Sequence, residues 1–163
     1  TNGTRLLVRN RVLGEESHRK WFQDFFTSEG IDPERLILFG PAEHHEFLKT
    51  YGKIDLALDT FPYNGGTTTM EALWQGVPLV CFKGDRWVSR TSATLLSSAA
   101  LHDFVGKDEN EYVEIAKRWS AAEQRDRLRK LRTGMRGQLE SSTVCDAVGL
   151  ARDFERIVFE ITR

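Results

Sequence analysis

The sequence predicts an α/β protein: a Rossmann-like parallel sheet with helices on both faces, followed by a helical C-terminal tail. Three observations predict it. Short apolar runs alternate with segments whose apolar residues recur at helical spacing. The connections between them are short and punctuated by Gly and Pro. Beyond residue 107 the strand-like runs stop while helical periodicity continues. Strand–helix alternation with short links gives parallel strands, because each helix returns the chain to the end of the sheet from which it started.

The elements follow in order. Residues 5–8 (Arg5-Leu6-Leu7-Val8) form a short apolar run closed by Arg9-Asn10 and read as a buried strand. Over 15–28, Trp21, Phe22, Phe25 and Phe26 recur at helical spacing, with Gly30 as the stop. The second strand is 36–39, ended by Gly40-Pro41, and a helix over 43–51 carries Phe47, Leu48 and Tyr51. The third strand, 54–58, runs into the turn-rich stretch 59–66. A helix over 67–75 stops at Gly76, and the fourth strand is 79–82. Residues 90–99 read as a helix and 103–105 as a last short strand. The tail holds three helices, 109–119, 121–139 and 143–161; the charge run at 125–130 surrounds Leu128, Leu131, Met135 and Leu139 and reads as a solvated helix face. The whole is expected to be one unit, residues 1–163, with an α/β core over 1–106 and the tail over 107–163.

Composition bounds the function. The chain has 163 residues, with 23 Lys+Arg against 24 Asp+Glu and a formal net charge of −1. That length suits one domain with a real core, and the balanced charge disfavours nucleic-acid binding. No apolar run approaches the roughly 20 residues that cross a bilayer, so no membrane association is expected. The first residues lack the basic and apolar regions of a secretory signal, and the absent initiator Met suggests an excised segment. Two cysteines, Cys81 and Cys145, cannot build a disulfide framework or a four-thiolate zinc site. His44 and His45 are adjacent rather than one helical turn apart, so no metal site is expected.

Chemistry concentrates between Asp59 and Gly76. In open parallel sheets, ligands bind beyond the carboxyl ends of strands, where loops enter helix N-termini. The loop after Leu58 ends in Gly65-Gly66-Thr67-Thr68 at the mouth of a helix. First-turn amides have no intrahelical acceptor and carry partial positive charge. Glycines admit an anion close to the backbone and threonine hydroxyls add donors, which suits a phosphate or pyrophosphate. The same residues also suit a plain N-cap at Thr67 and a simple turn at Asn64-Gly65. Glu71, four residues after Thr67, shares its helix face. A carboxylate there would repel a phosphate in its own space but accept hydrogen bonds from the vicinal hydroxyls of an attached ribose, so the pair reads as a nucleotide site. There is no Gly-x-x-x-x-Gly-Lys-Ser/Thr and no Gly-x-Gly-x-x-Gly after the first strand, which excludes a P-loop NTPase and disfavours a dinucleotide dehydrogenase. Asp55 and Asp59 do not form the Asp-x-Asp pair that holds a metal-bound nucleotide sugar.

The run Asp59-Thr60-Phe61-Pro62-Tyr63-Asn64-Gly65-Gly66-Thr67-Thr68-Thr69-Met70-Glu71-Ala72 closely resembles the C-terminal catalytic lobe of the O-GlcNAc transferase family, particularly its bacterial, TPR-associated members. The resemblance continues through Gly84-Asp85-Arg86-Trp87 and Asp108-Glu109-Asn110-Glu111-Tyr112 to Asp153-Phe154-Glu155, covering essentially the whole chain. It implies the C-terminal lobe of a two-lobed glycosyltransferase that transfers GlcNAc from UDP-GlcNAc to protein Ser or Thr, with inversion, without a metal or other cofactor, in the cytoplasm. The implied diphosphate site is Gly65, Gly66, Thr67 and Thr68. Glu71 and His44 would meet the ribose, and Pro41, Ala42 and Phe47 the uracil. Animal members carry a lysine where His44 stands, a histidine at Phe47 and another at Gly66. The resemblance places the catalytic base, acceptor-binding groups, TPR repeats and a leaving-group lysine before Thr1. The chain alone is therefore expected to be inactive, with the N-terminal catalytic lobe, TPR repeats and acceptor protein as partners. Lys83, Arg86 and Arg90 are alternative cations for the diphosphate, or partners in surface ion pairs. The competing readings are a non-catalytic interaction module and a two-lobed transferase using another nucleotide sugar.

Overall fold

The computed structural model describes residues 3–162. The chain divides into two compact units, Thr1–Ile54 and Asp55–Arg163.

In the first unit, β1 (Leu6–Arg9) and β2 (Leu36–Phe39) pair in parallel, with Leu6 opposite Leu36 and Arg9 opposite Phe39. Arg35 ties the start of the pair, its Nε donating to the Thr4 carbonyl at 2.9 Å. Between the strands, α1 (Glu16–Ser28) ends where Gly30 adopts φ +77°, a conformation that costs glycine little. Phe22 and Phe26 are half-buried, whereas Trp21 and Phe25 stack on each other at the surface, centroids 5.7 Å apart. Leu13 is fully buried. After β2 comes α2 (His44–Thr50), with Phe47 edge-on to Tyr51.

The second unit is built on a parallel sheet of β3 (Ala57–Leu58), β4 (Leu79–Phe82) and β5 (Val105–Gly106), in that order. Ala57 lies opposite Leu79, and Cys81 opposite Val105. Helices α3 (Thr67–Trp74), α4 (Thr91–Ser98) and α5 (Glu109–Trp119) pack on β4, and α6 (Arg125–Glu140) packs on α3. The core gathers Leu73, Val80, Cys81, Leu96, Phe104, Trp119, Met135 and Leu139. As the sequence suggests, Leu128, Met135 and Leu139 turn inward from α6 while Arg125, Arg127, Arg129 and Lys130 face solvent. The final helix, α7 (Ala147–Ile161), buries no residue. Among the described residues no helix is long and apolar enough to cross a membrane.

Four elements differ from the sequence-based expectation. The third strand forms only at Ala57–Leu58 rather than over 54–58. Its ladder starts where the Ala57 amide meets the Pro78 carbonyl, and Pro78 has no N–H to extend the pairing backward. The last strand is Val105–Gly106; His102–Phe104 instead forms a tight turn that seats Phe104 against Trp119, ring centroids 4.5 Å apart. The helix expected over 121–139 opens with a separate 3₁₀ turn at Ala122–Gln124. The one expected over 143–161 starts at Ala147, because Asp146 caps it through Oδ1, which accepts from the Gly149 amide at 2.8 Å.

Candidate functional site

The loop leaving β3 is held rigid by its own polar groups. The Thr60 hydroxyl donates to the Tyr63 carbonyl at 2.6 Å, and the Asn64 side-chain amide to the Thr60 carbonyl at 2.9 Å. The Asn64 backbone amide reaches the Val88 carbonyl at 2.8 Å. Phe61, which precedes a cis proline, stacks on Phe82 with centroids 4.3 Å apart. Short polar side chains that bond their own turn favour such a loop over continued strand.

Gly65 is gripped on both sides. Its amide donates to Asp59 Oδ1 at 2.9 Å, and its carbonyl accepts from the fully buried Ser92 hydroxyl at 3.0 Å. Ser92 Oγ also lies 2.8 Å from Thr69 Oγ1. A Cβ at Gly65 would fall 2.6 Å from Thr69 Oγ1 and 2.8 Å from Thr68 Oγ1, so the chain passes here only without a side chain. From behind, the Tyr112 hydroxyl donates to the Asp59 carbonyl at 3.1 Å.

This scaffold delivers the chain into α3. Gly66 is the N-cap and offers no side-chain acceptor to the first turn. The first amide to bond back along the helix is that of Met70, to the Gly66 carbonyl at 3.1 Å. Thr67 and Thr68 are exposed on the first turn, and Glu71 is half-buried one turn deeper. The structure therefore brings Gly65, Gly66, Thr67, Thr68 and Glu71 into one continuous feature, in which the Gly65 amide is already committed to Asp59. In the other unit, Pro41, Ala42 and His44 are exposed at the entry to α2, and Phe47 is half-buried. Lys83, Arg86 and Arg90 are exposed, and the surface ion pairs suggested for them are not formed among the described residues.

Electrostatically, burial pushes the Asp59 carboxyl above the ordinary aspartate value, opposed first by the hydrogen bond from the Gly65 amide. Asp59 Oδ2 is buried without a hydrogen-bond partner among the described residues. Burial, then the nearby Asp59, raises Cys81 to about 12, so this thiol is a neutral core group. Tyr112 also rises to about 12, first through burial and then through Asp59 and Cys81, and remains a donor. Among the described residues no three His, Cys, Asp or Glu side chains gather to hold a metal ion.

Sequence reasoning missed Asp59, Ser92 and the Asn64 side chain as scaffold of the loop. Asp59 had one signal, an acidic residue directly after an apolar strand and six before Gly65. Ser92 had none, being 27 residues from the carbonyl it supports.

Residues 2–153 match the profile of Glycosyl transferase family 41. The chain is 36% identical over 154 residues to the probable UDP-N-acetylglucosamine–peptide N-acetylglucosaminyltransferase SPINDLY of Oryza sativa subsp. japonica, covering 93% of this chain and 16% of that protein. It is 31% identical over 152 residues to the UDP-N-acetylglucosamine–peptide N-acetylglucosaminyltransferase of Caenorhabditis elegans, covering 93% of this chain and 13% of that one. A mutant of the Thermobaculum terrenum O-GlcNAc transferase superposes with a TM-score of 0.81 at 33% identity, over 93% of this chain and 30% of that chain. The chain thus spans about one sixth of the plant relative it matches. With a family profile covering nearly all of its residues and a solved relative sharing its fold, this chain belongs to glycosyl transferase family 41.

Proposed function

We propose that the chain is the UDP-GlcNAc-binding half of an inverting transferase that glycosylates Ser or Thr of proteins. One observation carries the reading: a doubly clamped glycine delivers a side-chain-free N-cap into α3, with two exposed threonines on its first turn and a carboxylate one turn deeper. The amides and hydroxyls of Gly66, Thr67 and Thr68 receive the diphosphate. Gly65 contributes shape, since its amide is engaged. Glu71 takes the ribose hydroxyls. The names of the plant and nematode relatives support the donor and the peptide acceptor. Charge building on the leaving diphosphate is met by preorganised donors, so the reaction needs no metal; loss of one such donor costs on the order of 3 kcal/mol.

The relatives are several times longer than this chain, and the remaining machinery is assigned to an N-terminal catalytic lobe and TPR repeats. Exposed Leu150, Phe154, Ile157 and Ile161 on α7 support a partner lobe that covers them. The chain alone is expected to bind donor without turnover.

Calorimetric titration with UDP tests the reading. Saturable binding is expected, and Thr68→Ala combined with Glu71→Ala should abolish it; equal affinity in the double variant refutes the assignment. A second reading, another nucleotide sugar, is favoured by His44 and Phe47, which depart from the animal residues at the ribose and base positions. Tighter binding of GDP than UDP would select it.

A further inference from the structure

Strands β3 and β5 run parallel to β4, so the segment entering β5 lies at the opposite end of the sheet from the Gly65 loop. There a cavity of about 490 Å³ opens between the end of α4, the His102–Phe104 turn, the end of α5 and one face of α6. This volume falls within the roughly 300–1,000 Å³ of small-molecule sites. Its lining divides into two chemistries. Leu101, Phe104 and Leu131 supply apolar surface, and Phe104 stacks on Trp119. Arg127 and Lys130, three residues apart on α6, put two cations on one wall.

The Arg127 guanidinium lies 4.8 Å over the Trp119 ring and donates from one nitrogen to Gln124 Oε1 at 3.1 Å. Neither Arg127 nor Lys130 has an acidic partner among the described residues. Asp103 brings a single carboxylate to the lining, and the Asp103 carbonyl is taken by Arg118 at 3.1 Å. Trp119 borders the cavity with 3% of its surface exposed, and among the described residues its buried Nε1–H finds no acceptor.

We propose that this groove binds a small amphipathic organic anion, a carboxylate or phosphate carried on an aromatic ring. The ring lies against Leu131, and the anionic oxygens accept from Lys130 and Arg127, beside the buried Trp119 ring. Cations beside an aromatic floor favour this pairing, because the charge-assisted bonds form where the apolar body excludes water. None of these residues belongs to the Thr67–Glu71 feature, so the proposal stands apart from the donor reading.

The ¹⁵N-labelled chain tests it directly. Its four tryptophans give four indole N–H signals, and Trp119→Phe identifies the one that belongs to the groove. The probes are 1-naphthoate, 1-naphthyl phosphate and neutral 1-naphthalenemethanol. A saturable shift of the Trp119 signal is expected with at least one anion and not with the alcohol. If the phosphate alone binds, the ligand class is a phosphate ester; if both bind, it is a general aryl anion. Lys130→Gln, at an exposed position where the fold is retained, should weaken binding roughly tenfold, and Arg127→Gln should do the same. A shift that never saturates, or one matched by the alcohol and unchanged in folded Lys130→Gln, overturns the proposal.

Discussion

Gly65 occupies a position where every atom of the main chain is spoken for. Asp59 takes its amide and Ser92 gives to its carbonyl, while the Thr68 and Thr69 hydroxyls fill the space a side chain would need. Gly65→Ala must displace Thr69 from Ser92, and should cost about 1–3 kcal/mol as a lower thermal midpoint, together with weaker UDP binding. Asp59 makes a different prediction. Burial raises its folded pKa above the ordinary value of 3.8, so the folded chain favours the protonated form. Its contribution to stability is therefore fullest below the unfolded pKa and falls as pH rises through the folded one. Asp59→Asn does not ionise, so the stability of the natural chain relative to the variant should decline across that window and level off above it. Urea unfolding at a series of pH values checks this, and a pH-independent difference would show that Asp59 is not the buried titrating group. At this scale the sequence disclosed the glycine pair, the threonines and Glu71, because their spacing is local. The Ser92 clamp was illegible, since a hydroxyl 27 residues away leaves no periodic trace.

Helix α3 is bounded by two glycines with different tasks. Gly66 opens it without a capping side chain, and Gly76 closes it at φ +77°. A Cβ at Gly76 would fall 2.5 Å from the Arg132 carbonyl, so this stop also sets how closely α3 approaches α6. Gly76→Ala therefore meets both the left-handed backbone and a backbone neighbour that cannot rotate away. It should destabilise by about 2–4 kcal/mol, at the upper end of single-residue effects, read from chemical denaturation. Interiors of elements were readable from apolar spacing. Boundaries failed where a local device intervened: Pro78 shortens β3, Asp146 delays α7, and the Phe104–Trp119 stack turns the start of β5 into a 3₁₀ turn. Each device depends on a partner chosen by packing, which periodicity does not report.

Across the molecule, the α/β class followed from strand–helix alternation, and the parallel pairing from the short connections. The division at Ile54 was not anticipated, because composition does not change there. The positions implied for nucleotide recognition fall in both units, with Pro41, Ala42, His44 and Phe47 before that boundary and Gly65 to Glu71 after it. Local spacing therefore could disclose the phosphate half, whereas the base half rests on resemblance. Titrating the ¹⁵N-labelled chain with UDP decides whether the mouth of α3 is an anion site for a nucleotide. Saturable shifts are expected, largest at the amides of Gly66, Thr67, Thr68 and Thr69. Saturable shifts centred elsewhere, or none at any of these four amides, would contradict that assignment.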